Sequence, residues 1–190
     1  MTELDSRWLF TAVVTAVVVQ RLFELRLSTR HEKALRARGA VEAGASHYPW
    51  MVALHTGFLI AAPLEVWLLG RPLVPWLAAC AAAALVAATA LRYWTIRTLG
   101  ERWTTRVLCL PGSTPVVDGP FRLVRHPNYL AVLVETLALP LLHTAWLTAI
   151  VFGCLNALLL RTRIRVEEAA LRAHTGYGEA FPSSARRPAT

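Results

Sequence analysis

The 190-residue chain has few charged residues and lacks the familiar nucleotide-binding and hydrolase motifs. Charged residues make up 17% of the sequence, hydrophobic residues 55%, and the mean hydropathy is +0.43. Soluble domains usually carry about 25% charged residues, so the composition favours a small polytopic membrane protein. No GxGxxG, Walker A, GxSxG or HExxH pattern occurs. Any cofactor must therefore bind outside a Rossmann-type site.

Cysteine is scarce as well. Cys80, Cys109 and Cys154 are isolated and show no CxxC spacing, so the sequence predicts neither a disulfide framework nor a zinc site, and no metal is expected. The first apolar segment, residues 8–27, has no basic start and no small-residue cleavage site, so no cleavable signal is predicted.

The net charge of +8 and the pI near 10.4 would suit a nucleic-acid-binding protein, but the distribution of the charge gives another explanation. Five Lys and Arg residues lie in 26–47, five in 97–125 and six in 161–190, with apolar runs between these blocks. Only Arg7 and Arg71 fall on the opposite side of the predicted topology. This positive-inside pattern predicts three cytoplasmic basic segments and no nucleic-acid partner.

The apolar segments predict an all-α, polytopic integral membrane protein with about five transmembrane helices. They cover residues 8–27, 49–69, 73–93 with a continuation towards 99, a helix beginning at Pro127, and 145–160 with a polar continuation to 173. The fourth and fifth helices are short for full spans. Residues 28–47 form a basic segment, and the turn residues of 100–126 predict an irregular loop. The N-terminus is expected outside and the C-terminus in the cytoplasm.

We expect a single domain over residues 1–190. It comprises a three-helix membrane part (1–98), a catalytic part (99–177) and a tail (178–190).

The start of the fourth helix is a candidate binding site for an anion. Its first N–H groups lack intrahelical acceptors, and Arg125 and His126 stand beside them. A carboxylate or phosphate of a ligand would be stabilised there, as would the phosphate of a lipid headgroup. Both alternatives remain open from the sequence.

Two acidic residues lie inside apolar helices, where each needs a partner. Glu135 shares a helix face with Asn128, seven residues earlier. It either faces a site or pairs with Arg92 or another buried base. Glu65, in the second span, raises the same question. His55, also inside the second span, either contacts a substrate or hydrogen-bonds a neighbour.

The fifth helix carries a polar stripe. Asn156, Arg163 and Glu167 stand at positions i, i+7 and i+11, which places them on one face. Such a stripe indicates a functional site, although Arg163 and Glu167 could also form a simple i, i+4 ion pair. Arg161, Arg165 and Glu168 are expected to point elsewhere, towards headgroups or water.

These motifs together resemble one membrane-enzyme family. Residues 119–122 read Gly-Pro-Phe-Arg, residues 125–129 read Arg-His-Pro-Asn-Tyr, and Asn156, Arg163 and Glu167-Glu168 follow. Over residues 99–177 this pattern resembles the isoprenylcysteine carboxyl methyltransferase family. The N-terminal half, with Glu-Leu-Arg-Leu-Ser at 24–28 and His-Tyr-Pro at 47–49, resembles a bacterial branch often linked to polyketide lipids.

The resemblance implies an integral-membrane methyltransferase that uses S-adenosylmethionine without a Rossmann domain. It implies that Arg163 holds the methyl acceptor and that Glu167 contacts the cofactor. Together with the helix-start argument for Arg125, it places the following residues at the cofactor: Phe121, Arg125, His126, Pro127, Asn128, Tyr129 and Glu167, with Ser113, Thr114, Pro115 and Val116 wrapping over it. Asn156, Glu135 and His55 complete the expected acceptor side.

The expected acceptor is an oxygen on a lipophilic, membrane-resident molecule, for example an alkylpyrone or alkylresorcinol, with an isoprenylcysteine-type carboxylate second. The expected location is a bacterial inner membrane, with the site on the cytoplasmic side. Two alternatives stay open. Phospholipid N-methyltransferases differ only in the acceptor, and NADPH-dependent reductases of the sterol-reductase type share a similar Arg-His-Pro-Asn-Tyr ending.

Overall fold

A computed structural model describes residues 2–181 of the chain, and most of its regular structure is helical. The elements, in chain order, are α1 Glu3–Ala37, β1 Val41–Ala43, α2 Tyr48–Leu68, α3 Pro75–Leu99, β2 Val107–Cys109, α4 Pro127–Leu141, α5 Trp146–His174 and α6 Tyr177–Ala180. Short 3₁₀ turns cover Ala45–His47, Gly100–Arg102 and Gly119–Arg122. Most of the tail expected at 178–190 lies outside the described residues.

Within residues 2–181, four helices are long and apolar enough to cross a membrane: α1, α2, α3 and α5. The predicted all-α polytopic membrane fold is confirmed. α4 is apolar but has only 15 residues, which gives about 22 Å against the roughly 30 Å hydrocarbon core. α4 is therefore short, as predicted. α5, with 29 residues, is longer than the sequence suggested because its polar continuation belongs to the same helix.

The helix starts carry the expected signals. Proline stands in the first turn of α2, α3 and α4, where its missing N–H costs no hydrogen bond. α1 opens with a capping box between Thr2 and Asp5. The helix extends beyond the predicted apolar span of residues 8–27 and ends at Ala37. Residues 28–37 contain neither glycine nor proline, so the helix continues until Gly39, whose φ of +83° follows the C-cap.

The basic segment after α1 and the loop after α3 form a two-stranded antiparallel ribbon, which the irregular-loop prediction missed. Val41 pairs with Cys109, and Ala43 pairs with Val107. Strands of three residues are too short to show an alternating pattern in the sequence. Gly44 then turns with φ +64°, and a Cβ there would lie 2.8 Å from Val166 Cγ1. The ribbon is therefore packed closely against α5.

The core of the bundle lies between α1, α2 and the α4–α5 hairpin. Its buried members are Phe10, Val14, Phe58, Ala62, Val66, Leu139 and Ala145. Polar contacts close the bundle on either side of this core. Ser6, near the start of α1, contacts His143 in the α4–α5 turn, and Ser28, near its other end, contacts Thr105.

We call these two regions the Glu65 end and the Arg163 end. The Glu65 end contains Ser6, Glu65, Arg71, His143 and Thr144, and the Arg163 end contains Ser28, Thr105, Tyr129, Arg163 and Glu167. Ser28, Thr105 and Arg163 come from the three basic segments predicted to lie on one side, and hydrogen bonds join them at one end of the bundle.

Candidate functional site

The polar stripe of α5 lies on its inward face. Asn156, Leu160 and Arg163 are all buried, with exposed fractions of 0%, 8% and 9%. Glu167 continues the stripe and is partly exposed, whereas Arg161 and Arg165 are exposed, as expected. The helical phasing deduced from the sequence is therefore confirmed.

The hydroxyl of Tyr129 joins the two charged members of this stripe. It donates to Glu167 Oε2, and it accepts a hydrogen bond of 2.8 Å from Arg163 Nε. Because Tyr129 lies in the first turn of α4, this contact ties the start of α4 to α5. Arg163 and Glu167 thus meet through a third group, and they do not form the simple ion pair that the sequence left open.

The rest of the Arg163 guanidinium is held by three other parts of the chain. Nη1 lies 2.9 Å from the Sδ atom of Met51 on α2, and Nη2 donates to the carbonyl oxygen of Thr105. Thr105 is itself fixed by Ser28 of α1. Its N–H donates to Ser28 Oγ at 2.8 Å, and the two hydroxyls lie 3.0 Å apart. Ser28, only 1% exposed, therefore sets the position of the carbonyl that orients Arg163.

His126 sits directly before α4 and stacks on Tyr129. The ring centroids are 5.5 Å apart with an interplanar angle of 15°. Its Nε2 lies 3.0 Å from Glu168 Oε1, and Glu168 also accepts from Arg172 at 3.2 Å. The expectation that Glu168 faces headgroups or water was wrong. His126, just before α4, and Tyr129, in its first turn, therefore contact two successive residues of α5, Glu168 and Glu167.

The first turn of α4 keeps an unused hydrogen-bond acceptor. Asn128 Oδ1 is buried and has no partner within residues 2–181. His126 caps the helix through its backbone, but its side chain makes no capping bond. The preceding Arg125 lies over the ring of Phe181 at 5.9 Å. Buried acceptors without donors are rare in folded proteins. The neighbouring N–H groups of Tyr129 and Leu130 both donate to the carbonyl oxygen of His126 at 3.1 Å, so the helix start has fewer open donors than the sequence suggested.

An open cleft of about 470 Å³ lies between the 112–115 loop and the end of α5. Ser113, Thr114 and Pro115 line it, together with Thr175 and Glu179, among others. The loop is tied down by Gly112 N–H, which donates to His174 O at 2.9 Å, and by Arg102, which donates to Thr114 O at 2.6 Å. Neither Val116 nor Phe121 lines the cleft. Phe121 belongs to the 3₁₀ turn Gly119–Arg122.

Glu135 lies in a buried ion-pair network that connects α1, α3 and α4. Arg92 donates to both of its oxygens, and Arg21 donates to Oε1 at 2.8 Å. Glu24 completes the network through Arg21. Of the two alternatives left by the sequence, the structure contains the pairing with Arg92. Glu135 was expected on the acceptor side, but both of its carboxylate oxygens already accept hydrogen bonds within this network.

Asn156 and His55 lie deeper than Arg163. Asn156 donates to Thr136 Oγ1 at 3.0 Å, while its own Oδ1 is buried without a partner in the described part of the chain. His55 Nδ1 donates to the carbonyl oxygen of Met51 at 2.8 Å. Met51 therefore contacts both Arg163 and His55. Nothing in the sequence pattern singled out Met51 or Thr105, and Ser28 stood out only as the end of the Glu-Leu-Arg-Leu-Ser motif, because the roles of these residues depend on tertiary contacts.

The β1–β2 ribbon packs over the Arg163 end and is stabilised by ion pairs of Glu42. Arg106 donates to Glu42 at 2.7 Å and lies 4.0 Å from the ring centroid of Tyr48. Partial burial acts to raise the pKa of Glu42, but hydrogen bonds from Arg36 and Arg106 outweigh it and lower the pKa. Next to it, burial raises the pKa of the Cys109 thiol to about 11. That thiol stays protonated and unreactive at neutral pH.

Glu65, whose partner the sequence left open, lies at the opposite end of the bundle and is fully paired there. Its carboxylate accepts from the N–H groups of Leu147 and Thr148 at 3.1 and 2.6 Å, and from Arg71 Nε at 2.9 Å. Glu65 of α2 thus caps the first turn of α5, which has no capping side chain of its own. Its role is structural.

Comparison with known proteins identifies the family of this chain. The sequence profile of the isoprenylcysteine carboxyl methyltransferase (ICMT) family matches residues 80–173. The chain belongs to this family. The matched range holds α4, α5 and all the contacts of Tyr129 and Glu167 described above. Methyltransferases of the ICMT family are membrane enzymes, so this protein is an integral-membrane methyltransferase.

Two curated relatives of this ICMT-family protein extend the similarity over nearly the whole chain. An uncharacterized protein of Bacillus subtilis, YpbQ, is 35% identical over 167 residues, which is 88% of this chain and 99% of the relative. An uncharacterized protein of Haemophilus influenzae is 33% identical over 165 residues, covering 86% and 95% of the two chains. Neither name states a substrate, so the acceptor has to be argued from the site.

Proposed function

We propose that this methyltransferase uses S-adenosylmethionine to methylate an oxygen on a lipophilic, membrane-resident acceptor. The observation that carries the proposal is the Tyr129 hydroxyl, which links the start of α4 to both Glu167 and Arg163. Tyr129 thus brings together the Glu167 carboxylate, next to the start of α4, and the Arg163 guanidinium, on the side of the membrane interior. These groups suit a cationic cofactor on one side and an oxygen nucleophile on the other.

The residues around α4 fit the cofactor. S-adenosylmethionine carries an amine, a carboxylate and ribose hydroxyls, and when bound it supplies an electrophilic methyl group on a positively charged sulfur. The unpartnered Asn128 Oδ1 and Glu167 are acceptors for its amine or hydroxyl donors. At the start of α4 the N–H groups of Tyr129 and Leu130 donate to the carbonyl oxygen of His126, so Arg125 and His126 are the groups that suit the carboxylate of the cofactor.

The remaining proposed cofactor contacts surround this core. Pro127 and Tyr129 form the first turn of α4 with Asn128, and Phe121 precedes them. Ser113, Thr114 and Pro115 line the open cleft, and Val116 follows them in the same loop. A volume of about 470 Å³ lies within the range of about 300–1,000 Å³ usual for small-molecule sites.

Arg163 has the orienting role on the acceptor side. Three of its nitrogens are held by Tyr129, Met51 and Thr105, so the guanidinium is fixed before an acceptor arrives. Methyl transfer is an in-line displacement that depends mainly on proximity and alignment. Asn156 and His55 are proposed to line the deeper side of the acceptor site. Glu135 is proposed to support this side through its ion pairs with Arg92 and Arg21.

The acceptor is proposed to be an alkylpyrone or alkylresorcinol type of lipid, with an isoprenylcysteine-like carboxylate as the second choice. The hydrophobic chain of either would lie among the apolar helices, and its polar head would reach Arg163. The described parts of the three basic blocks lie at the Arg163 end, so by the positive-inside rule we place this end in the cytoplasm. The N-terminus is then outside. Membership in a methyltransferase family argues against the NADPH-reductase alternative.

Calorimetry on the detergent-purified protein tests the cofactor assignment. S-adenosylhomocysteine, the product form of the cofactor, should bind with measurable heat, whereas NADPH should give none. Binding of NADPH without binding of S-adenosylhomocysteine would refute the proposal. The two ligands serve as each other's control, because both are large, polar adenine compounds.

A further inference from the structure

We propose that His55 accepts the proton of a neutral hydroxyl on the methyl acceptor, so that the acceptor is a phenol or enol and not a carboxylate. This inference rests on the proposed transfer of a methyl group to oxygen, and it adds the chemical class of that oxygen.

The hydrogen bond at Nδ1 fixes the form of the His55 ring. Nδ1 lies 2.8 Å from the carbonyl oxygen of Met51, and a carbonyl oxygen can only accept. Nδ1 therefore carries the proton, and in the neutral ring Nε2 holds a free lone pair. Among residues 2–181, Nε2 has no hydrogen-bond partner. The ring is thus held in place by one nitrogen and available through the other.

The position of His55 on α2 places it beside Arg163. Met51, His55 and Phe58 follow one another at i, i+4 and i+7, which is one helix face. Phe58 is buried against Phe152 of α5, with ring centroids 6.1 Å apart, and Met51 Sδ contacts Arg163. The face therefore points into the bundle. His55 lies one turn, about 6 Å along the axis, deeper than the Met51 contact.

The other charged groups near His55 are already engaged. The electrostatic neighbours of the ring are Arg92, Arg21 and Glu135. Both oxygens of Glu135 accept from guanidinium groups, and Glu24 binds Arg21 and lies 3.7 Å from Arg92. Of these side chains, only the imidazole keeps an unoccupied basic atom. It is the group suited to receive a proton at this depth.

A base matters only for an acceptor that still carries its proton. With a phenol or enol, the oxygen–carbon bond forms as the sulfur–carbon bond breaks and its electron pair passes to sulfur. The hydroxyl proton moves to His55 Nε2 and is released to solvent before the next turnover. A carboxylate is already ionised at neutral pH and gains nothing from His55. General-base catalysis typically contributes about 10²–10⁴-fold.

The test variant is His55→Asn, because the Asn amide N–H replaces the Nδ1 donor to Met51 and removes the basic nitrogen. The matched control is His31→Asn. His31 Nδ1 makes the same kind of bond, 2.8 Å to the carbonyl oxygen of Trp103. The probes are pentadecylresorcinol, which presents neutral hydroxyls, and hexadecanoate, which presents a carboxylate. Binding of S-adenosylhomocysteine, measured by calorimetry, reports whether each variant is folded.

We expect His55→Asn to methylate pentadecylresorcinol at least about 100-fold more slowly. Hexadecanoate should be a poor acceptor for the wild type, and its low turnover should not fall in the same proportion. The affinity for S-adenosylhomocysteine should be unchanged. His31→Asn should behave like the wild type. If His55→Asn does not bind S-adenosylhomocysteine, His55→Gln, which places an amide near the Nε2 position, takes its place. A second readout needs no turnover. In wild-type protein labelled with ¹⁵N-histidine, the His55 Nε2 signal in the NMR spectrum is assigned as the one missing from the variant. With S-adenosylhomocysteine bound, this signal should shift on addition of pentadecylresorcinol and not of hexadecanoate.

Three outcomes would overturn the inference: an unchanged rate in His55→Asn, an equal loss with both acceptors, or a wild-type protein that binds S-adenosylhomocysteine but does not methylate pentadecylresorcinol. A wild-type protein that binds no S-adenosylhomocysteine would instead refute the proposed function.

Discussion

The two polar ends of the helical bundle use the same residue types for opposite purposes. At the Glu65 end, a carboxylate accepts from two backbone N–H groups of α5 and from Arg71. At the Arg163 end, Glu167 is bound by the hydroxyl of Tyr129, and Asn128 Oδ1 has no partner in the described chain. A carboxylate bound to backbone locks the fold, whereas one bound to a side-chain hydroxyl can exchange that contact for a ligand.

The largest effect on stability should come from the Glu65 end. Glu65→Ala leaves Arg71 and two helix N–H groups without their acceptor, which should lower the free energy of unfolding by about 3–5 kcal/mol. Glu65→Gln keeps one acceptor oxygen and should cost less. Thermal unfolding in detergent measures both variants. The affinity of the remaining folded protein for S-adenosylhomocysteine should not change. A selective loss of that affinity would contradict the purely structural role of the Glu65 end.

The largest effect on activity should come from Arg163. Arg163→Ala removes the orienting guanidinium and should slow turnover by about 10²-fold or more while cofactor binding persists. Arg161→Ala, on the exposed face of the same helix, is the control. Turnover kinetics and calorimetry with S-adenosylhomocysteine separate the two roles. An equal loss of turnover and of affinity would reassign Arg163 to the cofactor.

Glu167 should show the reverse behaviour. Glu167→Ala should weaken S-adenosylhomocysteine binding by about tenfold or more, since a hydrogen bond to a charged group contributes about 1.5–3 kcal/mol. Calorimetry measures the change. Glu101→Ala, an exposed carboxylate paired with Arg38 at 3.4 Å, should bind normally. Unchanged affinity in Glu167→Ala would contradict its proposed role.

A smaller effect is expected one contact away from Arg163. Ser28→Ala leaves the N–H of Thr105 without its acceptor, at a cost of about 1–3 kcal/mol, and lets the carbonyl that holds Arg163 move. Turnover should fall less than in Arg163→Ala, with S-adenosylhomocysteine affinity preserved. Thr29→Ala is the neighbouring control, because the Thr29 hydroxyl bonds only within α1. Loss of cofactor binding in Ser28→Ala would show a general structural role instead.

The smallest effect concerns the ribbon over the Arg163 end. The folded pKa of Glu42 is lowered from 4.5 because bonds from Arg36 and Arg106 outweigh the opposing effect of burial. Its stabilising contribution is therefore present above pH 4.5 and is lost as the pH falls through the lower, folded pKa. Hydrogen exchange at Val41–Ala43 and Val107–Cys109 should speed up over this range, and Glu42→Gln should remove the dependence. Exchange that is independent of pH beyond its intrinsic rate would exclude this role for Glu42.

The membrane fold was predictable from the sequence because hydropathy, turn prolines and the distribution of basic residues are local signals. The helical period likewise predicted that Asn156 and Arg163 share one face, and both side chains are buried on it. The start of α4 was predicted at Pro127 from a signal of the same local kind, a proline at a first-turn position.

The partners of these residues could not be predicted, because they depend on how helices approach one another. Glu168 was expected to face headgroups or water, but the segment before α4 brings His126 to it. Ser28 and Thr105 are 77 positions apart, and no pattern in either segment connects them. The ribbon was missed since three-residue strands have too little periodicity to be recognised.

The central claim is that the Arg163 end transfers a methyl group from S-adenosylmethionine to an oxygen of a lipid. Membranes containing the protein can be incubated with methyl-labelled S-adenosylmethionine, and the labelled lipid identified, with Arg163→Ala membranes as the control. We expect label in an oxygen-linked methyl group of a lipophilic acceptor, and none with Arg163→Ala. Label in a phospholipid amine, or no label in any lipid, would contradict it.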